Sequence, residues 1–151
     1  MSEAHKLSMS VQYASAAKNL PARPQLRRWV KAALRHDTQI TLRIVDEEEG
    51  RELNKSYRGK DYATNVLTFV YDDMPQPELS GDVVLCATVV AREALEQRKE
   101  LAAHYAHLVV HAILHLQGYE HDAEQDAIEM EHAETAIMAK LGYADPYAVN
   151  S

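Results

Sequence analysis

The sequence is short of the features that stabilise secreted or membrane-bound chains. One cysteine, Cys86, stands among 151 residues, so no internal disulfide can form, as expected of a chain kept in a reducing cytoplasm. No uninterrupted apolar run approaches the roughly 18–20 residues needed to cross a bilayer. The opening MSEAHKLSMSVQYA lacks the basic-then-apolar order of a secretory leader. Repeats, linkers and low-complexity tracts are missing as well. The chain therefore reads as one domain, residues 1–151, cytoplasmic and without a membrane partner. Its hydrophobic share of 46% and charged share of 26% are those of a globular protein long enough to bury a core.

Net positive charge is lacking too, and the balance of −7 argues against a polyanionic partner until the chain is divided. Residues 1–60 carry 12 Lys/Arg against 7 Asp/Glu, whereas residues 61–151 carry 4 against 16. That asymmetry admits a local basic surface facing nucleic acid, and it is equally the pattern of ordinary surface variation.

The periodicities predict an α+β layer sandwich. Residues 7–14 alternate loosely and TQITLRIV (38–45) strictly, the mark of strands. VLTFVY (66–71) and DVVLCA (82–87) read as two more, giving three to four strands in a small mixed sheet. PQLRRWVKAAL (24–34) has helical spacing, and Asp46 with Glu49 forms a capping-box pattern opening a helix to about Tyr57. The polar YRGKDYAT and the acidic DDMPQPELSG read as loops. A helical pattern runs from about Thr88 to Gln117 with a break near Lys99. A last helix over 123–141 places Ile128, Ala133, Ile137 and Leu141 on one side and stops at Gly142. About five helices result.

What the chain does have is HLVVHAILHLQGYEHD, residues 107–122, with four histidines. Advancing about 100° per residue from His111, His115 falls near 40°, His104 near 20° and His107 near −40°. The histidines form a stripe beside the apolar arc of Leu108, Val109, Ala112, Ile113 and Leu116. His111 and His115 lie one turn apart, about 6 Å along the axis, where two imidazoles can reach one metal ion. Gly118 then permits a left-handed turn that returns His121 past the helix end as a third nitrogen ligand. Three imidazoles with an open fourth position describe a catalytic zinc site at the end of a central helix, where bound water is acidified. A histidine pair alone is more often a hydrogen-bonded surface pair, but a third histidine after a glycine hinge favours the metal. His104 and His107 read as supporting or surface groups, and a His107–His111 pairing stays open on spacing alone.

The same spacing occurs in the metzincin signature HExxHxxGxxH, where glutamate after the first histidine is the general base. Here that position is Ala112, so peptide hydrolysis lacks its proton acceptor; Glu120 is the possible substitute.

The stretch His111-Ala-Ile-Leu-His115-Leu-Gln-Gly118-Tyr119-Glu120-His121 resembles the HGxLHLxGYDH hallmark of the YbeY family. A second block, Leu53-Asn54 through Tyr57-Arg58, Asp61 and Thr64-Asn65-Val66-Leu67-Thr68-Phe69, is similar to that family's LNxxYRxxDxxTDVLSF. Gly81-Asp82 matches a third, and the blocks span roughly 38–141 in order. Ala112 replaces glycine, Glu120 replaces aspartate, and Asn65 replaces aspartate with loss of a charge. The resemblance implies a metal-dependent, single-strand-specific endoribonuclease of rRNA processing, acting at the 3′ end of 16S rRNA and in 70S ribosome quality control. It implies one Zn2+ per chain on His111, His115 and His121, and Arg58 as the functional arginine. It also implies the ribosome or small ribosomal subunit as partner, with no DNA expected. Physical chemistry agrees, since a planar, permanently charged guanidinium can stabilise the dianionic pentavalent state of phosphodiester cleavage. Arg51, Lys55, Arg58 and Lys60 against Glu52 alone form a basic patch there, and a structural salt bridge is the competing role for Arg58. Two other functions share these residues: a non-catalytic ribosome-assembly factor with a structural zinc, and a zinc peptidase, which Ala112 disfavours.

Overall fold

The computed structural model describes residues 5–71, 79–118 and 124–148. The alternating runs become strands: β1 (Leu7–Ala14) and β2 (Thr38–Val45) with the predicted bounds, then β3 (Val66–Val70) and β4 (Leu79–Cys86). They form a mixed sheet of order β1-β2-β4-β3, in which β1 and β4 run parallel to β2 and β3 runs antiparallel to β4. The helices are α1 (Arg23–Ala33), α2 (Glu47–Arg58), α3 (Ala87–Glu96), α4 (Leu101–Leu116) and α5 (Glu124–Lys140). This is the expected α+β architecture.

The strand periodicity sorts the core into two faces. Ile40, Leu42 and Ile44 of β2 join Val83 and Leu85 of β4 against Trp29 of α1, Val109 and Ile113 of α4 and Met138 of α5. On the opposite face Val45, Leu67, Val84 and Cys86 meet Leu53 of α2 and Phe69. Helices α2 and α4 thus approach the sheet from opposite sides. β3 packs tightly against β4 at Gly81, where a Cβ would lie 2.4 Å from the Phe69 carbonyl oxygen. Any side chain there would push away the strand that bears Val66 to Phe69, so the glycine of the Gly-Asp block has a steric reason.

Two local expectations are revised and one is located. The capping box does not form: the Asp46 side chain makes no cap bond to its helix and instead accepts hydrogen bonds from the Ser15 hydroxyl and the Ala16 N–H. Glu49 pairs bidentately with Arg43 at 2.6 and 2.9 Å. Tertiary partners out-compete the helix end for both carboxylates, and they hold Asp46, through Ser15 first, and Glu49, through Arg43 first, below the usual carboxylate range. The break near Lys99 is a turn at Arg98, whose φ is +55°. In α5 the buried residues are Met130, Glu134, Ile137 and Met138, followed by Leu141, while Ile128 is 39% exposed. A glutamate occupies the centre of the stripe that apolar spacing assigned elsewhere.

Candidate active site

Helix α4 is buried around most of its circumference. Ala106, Val110 and Leu114 are as buried as the arc that periodicity identified, and beyond the first turn only His107, His111 and His115 stay partly open. Of the two roles expected for His104, supporting or surface, its burial removes the surface one. It is 3% exposed, with Nε2 2.9 Å from Glu93 Oε1, and Glu93 also accepts from Asn65 Nδ2 at 3.0 Å. Asn65 can donate to that carboxylate where an ionised aspartate would repel it, which gives the lost charge a structural consequence.

Burial holds His104 below its ordinary 6.5, against the opposing pull of Glu93. A base depressed in the fold is neutral there and protonates more readily unfolded. Its stability contribution is therefore present above about pH 6.5 and is lost as pH falls through the lower folded value. His104→Gln, which keeps an amide toward Glu93 and cannot titrate, is expected to flatten the fall of Tm between about pH 7 and 5. A thermal-melt series in which both proteins lose Tm in parallel would refute this.

At the β3 edge of the sheet a cleft of ≈ 540 Å³ is lined by Tyr57, Arg58, Val66, Leu67, Thr68, Phe69, His111 and His115. Each side chain arrives there for a local reason. Arg58 ends α2, which Gly59 terminates with φ +70°, its N–H bonded to the Lys55 carbonyl at 3.1 Å. His111 and His115 lie in the last turns of α4, and Gly118 follows with φ +99°, the left-handed conformation expected of the hinge. Arg58 makes no ion pair among the described residues, so the competing salt-bridge role finds no partner there. Arg51, counted in the same basic patch, is bound bidentately by Asp61 at 2.7 and 3.0 Å. The patch narrows to Lys55, Arg58 and Lys60, all exposed.

His121, with Glu120 and Asp122, lies outside the described residues. Among the described residues no group of three metal-ligating side chains converges. Two of the three expected ligands and the arginine share the cleft.

The residue that sequence reasoning missed is Glu134. Its carboxylate is 0% exposed and lies behind the histidine stripe, Oε1 at 2.7 Å from His111 Nδ1 and 3.2 Å from His107 Nε2, with Oε2 accepting from the Tyr147 hydroxyl at 2.5 Å. His107, whose pairing with His111 spacing alone left open, is thus linked to His111 through this carboxylate. Burial alone would raise Glu134, but bonds from His107, His111 and Tyr147 outweigh it and bring the carboxyl down to about 2. Burial first, and Glu134 second, push the Tyr147 hydroxyl well above its ordinary value. The available signal was a carboxylate at helical spacing among Met130, Ile137 and Met138.

This carboxylate tests the fit of a metal. A histidine that donates from Nδ1 to a carboxylate carries its basic lone pair on Nε2, the tautomer and orientation typical of metal-bound imidazole. His111 has that arrangement, and the donor set is nitrogen-rich, as zinc prefers. Ala112, by contrast, is 0% exposed within the main core. A glutamate at that position would enter the core instead of lining the cleft.

A family model described as endoribonuclease YbeY matches residues 10–142. The endoribonuclease YbeY of Nitrosospira multiformis is 59% identical over 156 residues, covering 95% of this chain and 82% of that protein. That of Methylobacillus flagellatus is 59% identical over 143 residues, covering 95% of each. The solution structure of TM1509 from Thermotoga maritima aligns with a TM-score of 0.51 at 24% identity, over 92% of this chain and 99% of that one, a likeness of fold.

Proposed function

This chain belongs to the endoribonuclease YbeY family, and from that premise we propose that its β3-edge cleft hydrolyses single-stranded RNA with one zinc ion held by His111, His115 and His121. The observation that carries the reading is the convergence of Arg58 with His111 and His115 on one cleft. In the cell the substrate is ribosomal RNA, at the 3′ end of 16S rRNA, and the partner is the ribosome or its small subunit in the cytoplasm. The family resemblance of the histidine and arginine blocks supports that assignment.

The side chains divide the work. Arg58 grips two non-bridging phosphate oxygens through its planar fork, and its attraction grows as the phosphorus gains negative charge toward the pentavalent state. Tyr57 is 67% exposed and stands edge-on to Phe69 with ring centroids 5.0 Å apart, so an aromatic surface faces the cleft beside the arginine. An unpaired base can stack on such a ring, worth about 1–3 kcal/mol, whereas a base held in a duplex cannot. That geometry supports a preference for single strands. Glu134 fixes the ring of His111. When bound, the metal supplies Lewis acidity, neutralising phosphate charge and acidifying a coordinated water. Peptide cleavage is disfavoured because position 112 faces the core.

The proposal is tested by incubating the pure protein with an end-labelled RNA containing a stem and a single-stranded segment. Cuts are expected in the single-stranded segment, to disappear after metal chelation and to return with added zinc. Cleavage indifferent to the chelator, or confined to the stem, would overturn the assignment.

A further inference from the structure

We propose that the outer face of α1 is a second RNA-binding surface, one that grips the phosphate backbone of structured RNA flanking the cut site. The inference rests on the endoribonuclease reading and adds to it a docking surface away from the cleft. Between residues 4 and 36 the chain has seven Lys/Arg and no Asp or Glu, within a protein of net charge −7. Arg23, Arg27, Arg28 and Lys31 are all exposed on α1. None of the four forms an ion pair among the described residues. The arginines' hydrogen-bond partners are neutral: Arg23 donates to the Val11 carbonyl at 3.3 Å, Arg27 to Leu7 at 3.4 Å and Arg28 to Leu141 at 3.3 Å, and Arg23 also lies 4.9 Å from the Tyr13 ring centroid. The positive charge is held in place but not neutralised.

Helix stability does not explain this face. Arg23 is the first residue of α1 and the first turn contains no acid, so a cation sits at the positive end of the helix dipole. Arg23, Arg27 and Lys31 follow one another at i,i+4, where like charges repel. A surface selected for stability would mix signs, and one that binds polyphosphate would look as this one does. Hydrogen bonds to Leu7 and Val11 place the cations along β1, at the sheet edge opposite the cleft on β3. With strands about 4.8 Å apart, the two edges are separated by roughly 14 Å, so an RNA reaching both must extend beyond the nucleotides in the cleft.

The test compares wild type with Arg27→Gln/Lys31→Gln on two RNAs: a short single-stranded oligonucleotide, and a longer RNA whose single strand is flanked by a stem. The double variant should bind the longer RNA about tenfold more weakly, with a log K against log salt slope shallower by about 1.4–1.8. Binding and cleavage of the short oligonucleotide should not change, and Tm should be unchanged or higher because repulsion is relieved. A lower Tm with an unaltered slope would make the cations structural cover for β1 and overturn the proposal. So would an unaltered slope together with lost binding to phosphatidylserine vesicles, which would assign the face to a lipid surface. Wild-type protein that leaves both RNAs uncut would instead overturn the nuclease reading, and the α1 surface with it.

Discussion

Arg58→Ala is expected to lower kcat on single-stranded RNA by about two to three orders of magnitude, the loss typical when one preorganised donor to a charged transition state is removed. The residue is exposed at the end of α2 and makes no ion pair among the described residues, so its removal leaves the fold without an orphaned charge. Tm and metal affinity should both be retained. Arg58→Lys separates charge from geometry: an ammonium keeps the positive charge but loses the bidentate fork, and should recover only part of the rate. Single-turnover cleavage of a labelled oligonucleotide measures the effect. A variant whose loss lies wholly in KM would make Arg58 a binding residue that does not discriminate ground from transition state.

Glu134→Ala is expected to weaken zinc binding by about 10- to 100-fold, the usual consequence of removing a carboxylate that orients a ligating histidine. Truncation also removes the shared acceptor of His107, His111 and Tyr147 in a fully buried position. Orphaning buried donors costs about 1–3 kcal/mol, so Tm should fall as well. Glu134→Gln distinguishes orientation from charge. Its amide oxygen can still accept from His111 Nδ1, so affinity should lie between wild type and alanine. Competition with a chromophoric chelator reads the affinity directly. An alanine variant that binds zinc like wild type would confine Glu134 to packing.

Legibility in the sequence followed the physics of each segment. β1 and β2 were readable to the residue because inward and outward residues alternate along most of each strand, Ile40, Leu42 and Ile44 of β2 most clearly. The helical histidines were readable because i,i+4 spacing translates directly into adjacency, and Arg58 because its block resembles a family pattern. Glu134 was not, since a search for apolar periodicity treats a carboxylate as an interruption, and only three dimensions reveal the donors that allow its burial. The capping box failed for a related reason: Ser15 and Arg43, distant in sequence from the helix start, take up Asp46 and Glu49. His104 likewise shares the angular stripe of the expected ligands, but its buried pairing with Glu93 depends on how α3 packs beside α4.

In the proposed site one metal ion joins the two helical histidines to a third beyond Gly118 and faces the cleft that holds Arg58. A crystal structure of the zinc-loaded protein tests it most directly. Nitrogen ligands from His111, His115 and His121 are expected at about 2.0–2.1 Å, with the fourth position open to the cleft. A site closed by the carboxylate of Glu120 or Asp122, or one that omits His121, would contradict it.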